Sequence, residues 1–229
     1  MISGYRLLSS SNYCTGVTGV RRALWHALAA LVLLVPLSLP ARAAKPMTIL
    51  VLGDSISAAY GIQREAGWVA LLEQRLLETH PQARVVNASI SGETTDGGLT
   101  RLPAALAQHT PRIVILELGG NDGLRGYPVA KLRENLQKMI DLSITADATP
   151  MLVGMQIPPN YGIRYTTAFR DTFSSLATTN RIPVVPFLLE GVALVPGLMQ
   201  SDGIHPTAQA QPAMLETVWP VLLPLLADH

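Results

Sequence analysis

Leu50-Val51-Leu52-Gly53-Asp54-Ser55-Ile56-Ser57 decides how this chain is read. An apolar strand predicted over 47–52 runs into a sharp Gly-Asp-Ser turn. Open α/β sheets bind ligands beyond the carboxyl ends of their strands. Ser55 therefore stands where an exposed, rigidly held nucleophile belongs. Taken alone, the triplet has a plainer use, because Asp and Ser commonly cap the helix that follows. Three later stretches favour the nucleophile.

Further apolar strands are predicted over 83–88, 112–118, 150–155 and 183–186. Helices are predicted over 67–79, from Thr94 to 108, and over 129–142, 166–179 and 207–223. Trp68, Val69, Leu71, Leu72, Leu76 and Leu77 give the first of these one apolar face at helical spacing. Pro81 and Pro111 mark boundaries, since proline cannot continue a helix. The unbroken Ile-Val-Ile-Leu run, 113–116, fits a strand covered on both faces. Strands alternating with helices imply α/β architecture, a five-stranded parallel sheet with helices on both sides. Ser55, Gly92 and Asn121 then each follow the carboxyl end of a different strand, and the loop carrying His205 precedes the last helix on that side.

The chain has 229 residues, 48% hydrophobic and 14% charged, enough for one sizeable domain. Residues 1–43 read as something else. Arg21 and Arg22 precede an apolar run, 23–39, which ends at Ala41-Arg42-Ala43. A basic start, an apolar middle and Ala-x-Ala form a secretory signal, so cleavage is expected after Ala43, leaving one domain over 44–229 in the periplasm or outside the cell. The run is short for a membrane span, which needs about 20 residues, and Pro36 weakens it further. Removal takes away four of the 17 basic residues and none of the 16 acids, so the formal balance falls from +1 to −3. No basic patch suggests nucleic acid. Cys14, the single cysteine, is also lost, which excludes disulfides and thiolate metal sites from the remainder.

A serine hydroxyl needs a base. After residue 43 the histidines are His80, His109, His205 and His229. His80 and His109 stand at helix ends and His229 is terminal. His205 follows Asp202 by three residues in a Gly-containing turn, a spacing that lets Asp202 hold the imidazole Nδ1 and aim Nε2 at a serine. Acyl transfer also needs donors for the developing oxyanion. The Ser55 N–H, the Gly92 N–H and the Asn121 side-chain amide are the candidates. Each has an ordinary use as a turn residue; their joint occurrence at one sheet edge does not.

Gly53-Asp54-Ser55, Ser91-Gly92-x-Thr94, Gly119-Gly120-Asn121-Asp122 and Asp202-Gly203-Ile204-His205-Pro206 resemble, in order, the four blocks of the SGNH (GDSL) hydrolases. The longer stretches 87–92, 117–126 and 159–162 are similar to the periplasmic thioesterase, protease and lysophospholipase branch, close to bacterial arylesterases. The resemblance covers residues 46–225. It implies a three-layer α/β/α sandwich of flavodoxin-like type, Ser55 as nucleophile, His205 as base and Asp202 as its orienter. It further implies Ser55, Gly92 and Asn121 as oxyanion donors, with no metal and no cofactor. The serine is not in a Gly-x-Ser-x-Gly elbow, so the α/β-hydrolase fold is not expected.

The expected enzyme is thus a serine ester and thioester hydrolase acting on small acyl substrates, lysophospholipids among them, through an acyl-enzyme. Ile157, Pro158 and Tyr161, in a loop over 156–165, and Leu124 are expected to wall an acyl groove. Glu117 interrupts an apolar strand, where a carboxylate needs a partner or is neutral; a hydrogen bond near Asp54 is expected. One rival is a carbohydrate O-acetylesterase, disfavoured by the apolar 157–159 loop and by only Trp68 and Trp219 for sugar stacking. Another is a non-catalytic flavodoxin-like binding module, which leaves Asn121, Asp202 and His205 without a use. The absence of an obvious exposed apolar stripe suggests a monomer without stable membrane insertion.

Overall fold

The computed structural model describes residues 47–227. The expected signal segment and Cys14 lie outside the described residues. Five parallel strands form one sheet in the order β2-β1-β3-β4-β5. They are β1 (Met47–Gly53), β2 (Ala83–Asn87), β3 (Ile113–Glu117), β4 (Thr149–Val153) and β5 (Val184–Val185). Six α-helices accompany them: α1 (Trp68–Thr79), α2 (Thr95–His109), α3 (Gly120–Leu124), α4 (Val129–Thr145), α5 (Ile163–Asn180) and α6 (Gln211–Ala227).

Every residue of β1 and β3 is buried, which is why both read as near-continuous apolar runs. Alternate β1 side chains serve different cores. Ile49 and Val51 pack with Trp68 and Leu72 of α1 and Met214, Val218 and Leu222 of α6. Leu50 and Leu52 pack with Leu102 of α2, Leu132 and Leu136 of α4, and Phe169 and Phe173 of α5. The result is three layers, helix on sheet on helix. Set between β2 and β3, β1 pairs Val51 with Asn87 and Gly53 with Glu117, which sets the loops after these three strands side by side.

Five local expectations are corrected. Leu77 is 62% exposed rather than part of the α1 stripe, because the buried positions 69, 72 and 76 already define the inward face and Leu77 lies one step around the helix. The 156–165 loop is shorter than expected. A 3-10 turn occupies Pro159–Tyr161, and α5 starts at Ile163 after Gly162. The helix predicted from 207 is two pieces, a 3-10 turn over Ala208–Ala210 and then α6. That last helix runs past Pro224 to Ala227 instead of ending near 223, with Leu222 and Leu226 buried on its inner face. Finally, Gly-Gly-Asn-Asp reads as a turn but opens the short helix α3.

Candidate active site

Ser55 sits two residues beyond β1 with its backbone folded into a tight turn, Ala58 N–H to Asp54 O and Tyr60 N–H to Ser55 O. Its Oγ is 2.9 Å from His205 Nε2, and His205 Nδ1 is 2.7 Å from Asp202 Oδ2. Asp202 Oδ1 accepts the backbone N–H groups of Ile204 (2.9 Å) and His205 (3.0 Å). The three-residue spacing thus folds into a turn in which one carboxylate oxygen fixes the backbone and the other faces the ring. The His205 backbone N–H, then the imidazole, then the Ile204 N–H lower the Asp202 pKa to about 2. Facing a carboxylate, Nδ1 carries the proton and Nε2 offers its lone pair to Ser55.

The base loop is strapped in place. Gln200 N–H donates to His205 O at 2.7 Å, and Gln200 Nε2 bridges Tyr60 O (2.8 Å) and Pro206 O (3.0 Å). The Tyr60 ring lies 4.5 Å from the His205 ring, tilted by 39°. The side chains of His205 and Asp202 are 16% and 39% exposed, so the relay borders solvent.

Gly92, in the loop after β2, and Asn121, on α3 after β3, come to the same edge as expected. Among the described residues neither the Ser55 N–H nor the Gly92 N–H has an acceptor. Asn121 Nδ2 donates one hydrogen to Asp54 Oδ2 at 3.2 Å, and its second N–H has no acceptor among the described residues. Arg125 Nη2 donates to Gly92 O at 3.1 Å. Asp122 accepts the N–H (2.9 Å) and the hydroxyl (2.6 Å) of Thr95, tying the start of α2 to the Asn121 helix.

Glu117 is fully buried, and its Oε2 accepts Asp54 N–H (3.2 Å) and Ser57 Oγ–H (2.6 Å), the contact expected from sequence. Burial, then the nearby Asp54 charge, raise its pKa well above the usual carboxylate range. Burial likewise raises Asp54, to about 6, against the lowering effects of Ile56 N–H, His205 and Asn121.

The expected wall residues are placed unevenly. Tyr161 is half-buried and its hydroxyl donates to Leu124 O at 2.7 Å, so these two do stand together. Ile157 is only 8% exposed and belongs to the α2–α4–α5 core, while Pro158 is exposed. A cleft of about 600 Å³ lies beside this loop, lined by Tyr161, Ile163, Tyr165, Val129 and Ala168. Of the four expected residues it includes Tyr161 alone, and it does not include the Ser55–His205 pair. The contacts of Asp54 with Asn121, Asp122 with Thr95, Gln200 with Tyr60 and Tyr60 with His205 are not legible in the sequence, because they join residues 27 to 145 positions apart.

Among the described residues no cluster of three or more His, Cys, Asp or Glu is arranged to hold a metal ion. The family model described as GDSL-like Lipase/Acylhydrolase matches residues 51–212. The chain belongs to this GDSL-like lipase/acylhydrolase family. It is 54% identical over 183 residues to "Esterase TesA" of Pseudomonas aeruginosa, covering 80% of this chain and 91% of that one. It is 45% identical over 185 residues to "Thioesterase 1/protease 1/lysophospholipase L1" of Escherichia coli K12, covering 81% and 88%. The crystal structure of TesA superposes with a TM-score of 0.76 at 54% identity, covering 78% of this chain and 99% of that one.

Proposed function

We propose that this GDSL-like acylhydrolase cleaves carboxylic esters and thioesters through an acyl-enzyme on Ser55. The observation that carries the reading is the continuous relay from Ser55 Oγ through His205 to Asp202, at 2.9 and 2.7 Å. His205 Nε2 takes the Ser55 proton as Oγ attacks the acyl carbonyl. The Ser55 and Gly92 N–H groups and the Asn121 amide hold the oxyanion. Collapse breaks the bond to the alcohol or thiol, which leaves with the proton from His205. Water then attacks the acyl-serine, gives a proton to His205 and releases the acid, and that proton returns to Ser55.

Acyl chains and aryl esters are the proposed substrates, lysophospholipids included, with Leu124 and Tyr161 beside the acyl group. Ile157 supports that wall from the core and Pro158 borders it from outside. A monomer is proposed. Among the described residues no helix is long and apolar enough to cross a membrane. Residues 1–43 are proposed to be an export signal removed after Ala43, placing the enzyme in the periplasm or outside the cell. Intact mass of the exported protein tests that cleavage; an N-terminus upstream of Ala44 contradicts it.

Hydrolysis of p-nitrophenyl esters from acetate to palmitate, and of palmitoyl-CoA, by the wild type and Ser55→Ala tests the function. Turnover of medium and long chains that vanishes with Ser55 supports it. Turnover of the acetate alone favours an O-acetylesterase, and full activity in Ser55→Ala refutes the site.

A further inference from the structure

Two buried carboxyl groups lie behind the nucleophile, and the mechanism above uses neither. Asp54 is 2% exposed and Glu117 is fully buried. Both are enclosed by backbone that cannot carry a side chain. A Cβ on Gly53 would stand 2.5 Å from Glu117 Oε2, and one on Gly120 would stand 3.1 Å from Asp54 Oδ2. Glycine in the Gly-Asp-Ser and Gly-Gly-Asn-Asp motifs thus makes room for the two acids. Glu117 Oε2 accepts the Asp54 N–H at 3.2 Å and feels the Asp54 charge, and two interacting carboxylates in a dry site do not both stay charged.

Their hydrogen bonds show which one is ionised. Both Asp54 oxygens accept N–H groups, Oδ1 from Ile56 (3.0 Å) and Oδ2 from Asn121 (3.2 Å), as a carboxylate requires. Glu117 receives its hydrogen bonds on Oε2 alone, and buried Oε1 has no partner, which suits the protonated, neutral member. The charged groups that act on Asp54 besides Glu117 are His205 and Asp122. Asp54 meets the site through its hydrogen bond to Asn121, through the turn at Ile56, and through its charge on His205.

We propose that Asp54 is a positioning residue of the oxyanion hole: its carboxylate dictates which end of the Asn121 amide faces the substrate, and Glu117 holds the proton that lets Asp54 remain charged. This rests on the hydrolase reading above. An amide side chain has a donor end and an acceptor end that are nearly the same shape. Only an obligatory acceptor at Asp54 Oδ2 keeps the Asn121 NH₂ turned so that one hydrogen serves Asp54 and the other the oxyanion. Asp54→Asn inverts this. Ile56 N–H claims the new amide oxygen, so the new NH₂ faces Asn121. Asn121 must then offer its carbonyl and turn its donors away from the hole.

The test is a double-mutant cycle on p-nitrophenyl butyrate with Asp54→Asn, Asn121→Ala and the pair. Deleting an oxyanion donor costs about 10²–10³ in kcat, so Asp54→Asn should lower kcat by about 10- to 10²-fold with KM nearly unchanged. In the Asn121→Ala background the same change should cost less than about threefold, because the group it acts through is gone. An equal loss in both backgrounds overturns the proposal and makes Asp54 a structural residue of the turn. Asp54→Ser replaces Asp54→Asn in the cycle if the latter does not fold. Glu117→Gln, which mimics the neutral acid, should keep kcat within about fivefold; a loss as deep as that of Asp54→Asn would make Glu117 the charged member and also overturn the proposal. Ser55→Ala is measured alongside. Its inactivity with a flat cycle defeats only the role of Asp54, whereas its full activity defeats the hydrolase site itself.

Discussion

Replacing Asp202 by asparagine changes one oxygen to nitrogen in the relay behind Ser55, and the hydrogen bonds decide where the nitrogen goes. With the amide oxygen at the Oδ1 position, it still accepts the Ile204 and His205 N–H groups at 2.9 and 3.0 Å. The NH₂ then faces His205 Nδ1, where the carboxylate stood at 2.7 Å. Nδ1 must accept, the ring proton moves to Nε2, and an N–H points at Ser55 Oγ where a lone pair is required. The opposite orientation sets an NH₂ against two backbone donors and opens the turn, so the first prevails. The fold stays intact and the base is lost. For a relay of this geometry the wrong tautomer costs about 10⁴ in kcat, or about 5 kcal/mol of barrier at 1.36 kcal/mol per tenfold. Stopped or steady-state release of p-nitrophenol, with circular dichroism to establish folding, measures it. An Asp202→Asn enzyme that keeps more than about a tenth of wild-type kcat would refute the reasoning.

Three further outcomes are expected. Asn121→Ala should lower kcat by about 10²–10³ with the fold intact; near-wild-type turnover would remove Asn121 from the oxyanion hole. Gln200→Ala cuts the two hydrogen bonds that join the Tyr60 backbone to the His205 loop. At about 1 kcal/mol per bond, a fall in kcat of about 5- to 30-fold is expected, with KM little changed, and an unaltered kcat would show that the loop holds without the strap. Asp54 titrates at about 6 in the fold against an ordinary value of 3.8, so between those values the folded state binds more protons than the unfolded one. Stability from this group therefore falls as pH rises through that window. The Tm of Asp54→Asn relative to wild type should move in the variant's favour between about pH 4 and pH 6 and level off above; calorimetry showing the reverse trend would contradict the burial of Asp54 as a titrating acid.

Local spacing carried much of this to the reader of the sequence. The strand ends follow from unbroken apolar runs bounded by turn residues, and Asp202 and His205 sit three apart in one turn. Gly92 and Asn121 are less distinctive singly and were legible only together, each after a strand end and within the four resembling blocks; the order that sets β1 between β2 and β3 is seen only in the structure. What stayed hidden depends on contacts between distant segments. Ile157 looks like a groove residue in a proline-rich loop, yet Gly123 leaves the space that receives it; a Cβ there would stand 2.6 Å from its Cγ2. Asp54 reads as a helix cap, and its bond to Asn121 spans 67 positions. Glu117 was visible as an anomaly, a carboxyl in an apolar strand, and the expected contact with Asp54 is present.

Every step of the proposed hydrolysis depends on Ser55 becoming acylated. Treating the protein with a fluorophosphonate ester and locating the adduct by intact mass and peptide mapping tests it without any choice of substrate. One phosphonyl group on the peptide containing Ser55, loss of esterase activity in proportion to labelling, and no adduct on Ser55→Ala are expected. A label on another residue, or equal labelling of Ser55→Ala, would contradict the account.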